Sequence, residues 1–384
     1  MIDNFVEETP FFTNEQRSLA ASVAGFVARE VEPLAGEEQE IERHFRVLLT
    51  LLARADLLHY AVATPGTALS VRSLCLIREA LAYSSSLADL AFVMQGLGTY
   101  AISIAAPEHV RDFWLKRATT GKAIAAFALT EPDAGSDVAA IKTTARRDGD
   151  SYVIDGRKRF ISNAGLADFY TVFARTGTCD DGRAELSAFV VGARMPGFSV
   201  REHTEMIAPH PIGEIEFKNL RVPAEEMIGR EGDGFSLAMR TLDTFRCSVG
   251  AAACGMARRA LNEAISYATT RRQFGRPIAE HQLIQEKLAD MATELDAARL
   301  LVYRAAYLKD AGVERVTREA SEAKLFATEA AWRIIDQALQ IHGGAGLVRG
   351  HVVERLYRDV RALRIYEGTS EIQKLVIAGQ LLKE

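Results

Sequence analysis

Near the C-terminus, Tyr366-Glu367-Gly368-Thr369-Ser370-Glu371-Ile372-Gln373 sets a carboxylate just ahead of a glycine and two hydroxyl residues. Ser370 followed three residues later by Gln373 has capping-box spacing, and Ile372, Leu375, Val376 and Ala378 continue at helical intervals. The pattern predicts a helix that starts at Ser370. Glu367 then lies on the turn before a helix N-terminus, beside a glycine that admits unusual backbone shapes and lets a ligand come close. A carboxylate so placed can act as a base. Glutamates near helix starts also complement the helix dipole, so this residue alone does not fix the chemistry.

Five further stretches carry residues suited to binding. Phe127-Ala128-Leu129-Thr130-Glu131-Pro132-Asp133-Ala134-Gly135-Ser136-Asp137 contains Pro and Gly, which block a regular helix, and small and hydroxyl residues that expose backbone N–H groups and oxygens. Gly156-Arg157-Lys158-Arg159-Phe160-Ile161-Ser162-Asn163-Ala164 reads as a strand ending in a turn, with a hydroxyl at Ser162. Asp243 and Arg246 stand three apart on a predicted helix and share a face, with Phe245 between them. Arg271-Arg272-Gln273-Phe274-Gly275-Arg276-Pro277, then Gln282, ends one helix and begins the next; the guanidinium groups suit phosphate oxygens. Gln340-Ile341-His342-Gly343-Gly344-Ala345-Gly346 is glycine-rich but follows a helix and lacks G-x-G-x-x-G spacing, which excludes a Rossmann fingerprint and leaves a helix C-cap, with His342 structural.

These stretches sit in a chain whose texture changes twice. Thr13-x-x-Gln16 is a second capping box, with Leu19, Val23, Phe26 and Val27 following on one face. Segments 43–57, 71–82 and 110–119 repeat the helical character. Tyr152–Gly156, Tyr170–Ala174, Leu186–Val191 and Glu214–Phe217 read as strands, with turns at Asp148-Gly149-Asp150 and Asp155-Gly156. Ile284, Leu288, Met291, Leu295, Ala298, Val302 and Ala305 then step by four and three, the seam of a bundle helix, before an Ala-rich segment from Ala320 to Ile341. The expected architecture is α+β and multidomain: an N-terminal helical domain (1–122), a middle antiparallel β barrel or sandwich (123–231) and a C-terminal helical bundle (232–384).

Composition narrows the function classes. With 48% hydrophobic and 25% charged residues, the 384-residue chain has ordinary globular composition. A net charge of −5 gives no reason to expect a nucleic-acid partner, and no membrane-spanning stretch is read. Cys75, Cys179, Cys247 and Cys254 form no C-x-x-C pair and no ligand-like spacing with histidine, so no metal site or disulfide framework is expected. A reduced, cytoplasmic setting fits.

Taken together and in order, these motifs resemble those of acyl-CoA dehydrogenases across essentially the whole chain. The resemblance implies FAD as cofactor and Glu367 as the base that removes an α-proton from an acyl-CoA, with a β-hydride passing to flavin N5. It assigns Phe127, Leu129, Thr130, Gly135 and Ser136, then Phe160, Ile161 and Ser162, to the flavin, with the Ser162 hydroxyl near N5. The family usually has Trp-Ile-Thr at 160–162, so the indole donor is lost and a hydroxyl is kept. Arg271, Gln273, Phe274 and Gln282 are assigned to the pyrophosphate; Gln340, Gly343 and Gly344 to the adenosine of a neighbouring subunit; Thr369 also to the cofactor. Ser136, Asp243, Phe245, Arg246, Tyr366 and Gly368 are assigned to the substrate, Arg246 holding the CoA portion. Phe245 cannot abstract a proton, which leaves Glu367 as the base. A homotetramer and an electron-transfer flavoprotein as acceptor are implied. Same-fold alternatives are an acyl-CoA oxidase, a thioester-activated elimination, a carrier-protein-tethered dehydrogenation, or a flavin-bearing nucleic-acid-binding relative. The segment from Ser84 to Tyr100, assigned to the acyl pocket, offers hydroxyls but no arginine, so a dicarboxylic acyl group is not indicated.

Overall fold

The computed structural model describes residues 4–64, 66, 68–178 and 184–383; Cys179 lies outside them. The predicted box at Thr13 forms, its hydroxyl accepting from Gln16 N–H at 3.3 Å and the Gln16 side chain accepting from Thr13 N–H at 3.1 Å. Along the chain come α1 (Phe5–Glu8), α2 (Asn14–Phe26), α3 (Ile41–Arg54), α4 (Val71–Ser84), α5 (Ser86–Ala105) and α6 (Glu108–Thr119). Strands β1 (Ala125–Ala128), β2 (Thr144–Asp148), β3 (Ser151–Ser162), β4 (Phe169–Thr178), β5 (Ala184–Gly192), β6 (Phe198–His203), β7 (Ile212–Pro223) and β8 (Met227–Ile228) follow. Next come α7 (Gly234–Thr270), a hairpin of β9 (Arg272–Gln273) and β10 (Arg276–Pro277), α8 (Gln282–Asp310), α9 (Thr317–His342), α10 (Val352–Val360) and α11 (Ser370–Leu381). Helix α5 is long and apolar enough to cross a membrane, a stretch the sequence reading passed over, but most of its apolar window is buried inside the protein, as in a core helix.

Two compact units result: Met1–Glu38, Ser70–Asp89 and Phe245–Glu384 form the first, Gln39–Leu69 and Leu90–Thr244 the second. The first is helical. The predicted seam of α8 is realised, with Met291, Leu295, Ala298, Val302 and Ala305 buried against the alanine faces of α7 and α9. Small residues allow the close approach: a Cβ at Gly255 of α7 would lie 2.1 Å from the Glu79 carbonyl of α4, a spacing only glycine permits.

The second unit carries an eight-stranded sheet in the order β6-β7-β3-β2-β4-β5-β8, with β1 paired to β4. The sheet is mixed, not purely antiparallel as expected. β1 runs parallel to β4 over Ala125–Ala128 against Phe169–Val172, a pairing no local pattern encodes. Asp148-Gly149-Asp150 turns as predicted, since Asp148 and Ser151 are paired across it. Asp155-Gly156 does not turn; Gly156 (φ +147°) lies within β3 at a bulge where pairing with β7 resumes as Gly156 against Phe217.

Candidate active site

In the first unit, Glu367 is held by a turn built from both sides. After α10, the N–H groups of Ile365 and Tyr366 bond back to the Ala362 carbonyl at 2.9 and 3.1 Å. Glu367 (φ +52°) and Gly368 (φ +92°) then take left-handed backbone conformations in succession. For a glutamate this costs about 1–2 kcal/mol, so surrounding bonds must impose it. They do: the fully buried Gln373 donates from Nε2 to the Glu367 and Gly368 carbonyls at 3.1 and 3.0 Å, and the fully buried Lys324 donates from Nζ to the Gly368 carbonyl at 2.8 Å. Glu329 of α9 clamps the flanks, accepting from Arg364 Nε at 2.8 Å and from Ser370 Oγ at 2.5 Å.

The helix therefore does not start with the predicted box at Ser370. Thr369 is the N-cap, accepting from Ile372 N–H at 3.3 Å, because Ser370 is drawn to Glu329 and Gln373 to the turn.

Glu367 as a residue is half-buried, yet its carboxyl is enclosed by protein, and Oε2 has no hydrogen-bond partner among the described residues. Burial raises its pKa above the ordinary glutamate value; Arg78, Arg246 and Lys324 pull against that rise without cancelling it, and Asp89 adds to it. Arg78 is itself buried, gripping Asp89 through Nε and Nη2 at 2.8 and 2.7 Å and donating from Nη1 to Ser248 Oγ at 2.8 Å. The Tyr366 hydroxyl, pushed up by burial, faces the same guanidinium. Burial brings Lys324 down to about 8. An unpartnered, desolvated carboxylate is a stronger base than one in water.

Of the residues assigned to substrate, Arg246, Tyr366 and Gly368 surround or adjoin this carboxyl. Phe245, also assigned to the substrate, is fully buried. Arg78, Asp89, Ser248 and Lys324 were missed. Their signal was present, since charged residues interrupt the apolar runs of α4 and α9.

The residues assigned to pyrophosphate and adenosine occupy one end of the same bundle. Pairing of Gln273 with Arg276 leaves Phe274 (φ +50°) and Gly275 (φ +82°) as a two-residue hairpin turn with both φ positive. The Phe274 ring at its tip is 94% exposed. Arg272 Nη2 closes the turn on the Gly275 carbonyl at 2.8 Å, while the Arg271 guanidinium is unengaged among the described residues. Gln282 is exposed at the start of α8. His342 is structural, as expected: its Nδ1 meets the Ala338 carbonyl at 2.7 Å, and its ring stacks on Tyr267 four residues before Arg271. That stacking sets the exposed Gln340, Gly343 and Gly344 at the hairpin end.

In the second unit the two glycine-bearing motifs are stitched together. Buried Lys158 donates from Nζ to the Leu129 carbonyl at 3.0 Å and to Glu131 Oε1 at 2.8 Å, and Arg159 N–H bonds the Thr130 carbonyl at 2.9 Å. Burial pushes Glu131 upward, but Lys158 with the Thr143 and Lys142 bonds leaves it below its ordinary value, while burial takes Lys158 down to about 8. The loop beyond is open: Gly135 and Ser136 are exposed, and a Cβ at Gly135 would meet nothing within 4 Å. Phe160 (φ +54°) stands on a bulge of β3 with its ring half exposed. Ser162 Oγ lies 2.8 Å from His210 Nε2, and Phe127 packs on Phe173 at 5.0 Å. Leu129 and Ile161 are buried, so only their backbones can face a ligand. Free backbone at 135–136, hydroxyls at Thr130, Ser136 and Ser162, and a projecting aromatic ring are a donor set that fits a planar heterocycle such as isoalloxazine.

Family models described as the N-terminal, middle and C-terminal domains of acyl-CoA dehydrogenase match residues 13–122, 126–220 and 232–382. The 3-(aryl)acrylate reductase of Clostridium sporogenes is 39% identical over 381 residues, covering 97% of this chain and 100% of that protein. The caffeyl-CoA reductase-Etf complex subunit CarC of Acetobacterium woodii is 46% identical over 273 residues, 71% of this chain and 72% of that protein. A solved glutaryl-CoA dehydrogenase of Mycobacterium smegmatis in complex with FADH2 superposes with a TM-score of 0.88 at 30% identity, covering 97% of this chain and 96% of that one. Sequence, fold and an unpartnered carboxylate on its helix-capping turn converge on one conclusion: this chain belongs to the acyl-CoA dehydrogenase family of FAD-dependent oxidoreductases.

Proposed function

We propose that this enzyme oxidises an acyl-CoA thioester to the trans-2-enoyl-CoA, with Glu367 removing the α-proton. The observation that carries the reading is the Glu367 carboxyl itself, enclosed, unpartnered at Oε2 and held by a turn that leaves it no alternative bond. An α-proton of a thioester is too weakly acidic for a carboxylate in water; desolvation strengthens the base, and donors aimed at the thioester oxygen stabilise the developing enolate. The Glu367 backbone N–H, which has no acceptor among the described residues, is assigned to that oxygen. Bound FAD supplies the acceptor for the β-hydride at N5. Ser162, Thr130 and Ser136 are assigned to the flavin ring system, Arg271, Gln273, Phe274 and Gln282 to the pyrophosphate, and Gln340, Gly343 and Gly344 to the adenosine bound by a neighbouring copy in a homotetramer. Arg246 is assigned to the CoA portion. An electron-transfer flavoprotein is the proposed acceptor, in keeping with the Etf complex named for the A. woodii relative.

A second reading is favoured by two relatives named as reductases: the same site run toward reduction of an aryl-substituted enoyl thioester. A carboxyl raised by burial suits that direction too, since it can return the proton to Cα. Anaerobic rapid mixing of the FAD-loaded enzyme with saturated acyl-CoAs, and of the reduced enzyme with enoyl-CoAs, measures both directions. Glu367→Gln should bind these thioesters yet transfer electrons ~10²–10⁴-fold more slowly. Near wild-type bleaching of the flavin by Glu367→Gln would remove Glu367 from the role of base.

A further inference from the structure

Ser162 is a small residue given a directional task, and nothing in its own side chain fixes its direction. Serine lacks the β-methyl that restrains χ1 in threonine, and its single hydroxyl hydrogen can swing among acceptors. One partner in the second unit restrains it: His210 Nε2, at 2.8 Å from Oγ. The imidazole is carried by Ala208-Pro209-His210-Pro211, where a proline on each side narrows the backbone freedom of the loop. The loop is anchored at both ends of the turn, Asn163 N–H bonding the Pro211 carbonyl at 2.7 Å and Thr204 N–H the Ile212 carbonyl at 2.9 Å. His210 is thus pinned beside the hydroxyl, with no ion-pair partner among the described residues.

We propose that His210 is a positioning residue for the flavin, fixing the direction of the Ser162 hydroxyl and through it the hydrogen bond at N5. The inference rests on the assignment of Ser162 to the N5 edge made above. Burial brings His210 down to about 4, so the ring is neutral at physiological pH and one nitrogen carries the proton. With the proton on Nε2, the imidazole donates to Oγ and frees the Ser162 hydrogen for an unprotonated N5. With the proton on Nδ1, Nε2 takes the Ser162 hydrogen and leaves Oγ to accept from a protonated N5. The first arrangement favours oxidised flavin and the second reduced flavin, so a fold that fixes either tautomer sets the balance between them, and loss of His210 moves it.

The test is a double-mutant cycle on the FAD-loaded enzyme, with the flavin reduction potential measured by equilibration against reference dyes in the absence of thioester. Ser162→Ala and His210→Ala should each change the oxidised-to-reduced ratio at fixed potential by about two- to tenfold, the range of one hydrogen bond. Tenfold is about 30 mV for a two-electron couple. In the Ser162→Ala background, His210→Ala should add nothing, because its effect passes through that hydroxyl. His210→Gln, whose amide can also donate or accept there, should restore most of the wild-type ratio. If Ser162→Ala moves the potential and His210→Ala does not, or if the two add, His210 has no such role. If Ser162→Ala itself leaves the potential unchanged, the assignment of Ser162 to N5 falls, and this inference with it.

Discussion

Lys324→Met isolates the charge beside the proposed base from the architecture that holds it. The ammonium is fully buried, donates to the Gly368 carbonyl at 2.8 Å, and is one of three cations that pull the Glu367 pKa down. Losing a hydrogen bond from a charged donor costs about 1.5–3 kcal/mol, and the lower end applies because Gln373 still donates to the same carbonyl at 3.0 Å. Against this stands the burial cost of the charge: a fall from 10.5 to about 8 corresponds to roughly 3 kcal/mol of destabilisation at neutral pH, which methionine does not incur. The second exceeds the first by about 1–2 kcal/mol, which the lost attraction to Glu367 offsets in part, so Lys324→Met should fold, with a melting temperature within a few degrees of wild type.

Its kinetics should differ, and with a definite sign. Removing a cation raises the Glu367 pKa further, so less of the base is ionised at a given pH and the acid limb of flavin bleaching moves to higher pH. In the wild type Lys324 loses its charge near pH 8, above which the two proteins present similar electrostatics to Glu367. The deficit of the variant should therefore be largest on the acid side of about pH 8 and shrink above it. Anaerobic rapid mixing from about pH 6 to 9.5 measures this. A wild-type-to-variant ratio that is flat across that range, or a variant faster at acid pH, would refute the electrostatic role of Lys324.

Glu367→Asp should be intermediate between wild type and Glu367→Gln in bleaching rate, since the charge is kept but set back by about one methylene from the proton it must reach. Glu367→Gln should melt at or above the wild-type temperature at neutral pH in calorimetry: a carboxyl raised in the fold binds more protons than in the unfolded chain, so its contribution falls as pH rises past the unfolded value, and the amide escapes that loss. The advantage should vanish at acid pH. Arg246→Ala should weaken binding of every acyl-CoA by a similar factor, about 1.5–3 kcal/mol by calorimetric titration; an effect confined to one acyl chain would put Arg246 at the acyl end instead. Arg271→Ala should lower FAD retention on gel filtration with helix content unchanged by circular dichroism, because its guanidinium has no structural bond to lose among the described residues.

What could be read from the sequence was whatever short-range chemistry decides. The Thr13 box, the α8 seam and the turn ahead of α11 all follow from spacings within a few residues. Where the reading failed, a distant partner overrode a sound local signal. Ser370 has a good cap spacing, but Glu329, 41 residues away, takes its hydroxyl. Asp155-Gly156 has a good turn composition, but β7 continues the ladder through it. Arg78, Asp89 and Lys324 meet around Glu367 from three separate helices, and nothing in their own neighbourhoods tells which charges will face one another.

The turn at Glu367 also explains why a strained residue is kept at this position. Its two carbonyls are committed, to Gln373 and to Lys324. Its flanks are committed to Glu329 through Arg364 and Ser370. Gly368 cannot be replaced without collision, since a Cβ there would lie 2.5 Å from Gln373 Nε2. Two groups remain outside this network, the Glu367 N–H and the carboxylate oxygen Oε2. Left-handed backbone, a buried unpaired oxygen and a desolvated lysine each destabilise the fold by about 1–3 kcal/mol, and a turn selected for stability alone would shed all three. The two free groups are the ones that α-proton abstraction requires: a base, and a donor for the oxygen that becomes negative when the base takes the proton. The bonds that impose the strain also leave those two groups unsatisfied, as the role proposed for Glu367 requires.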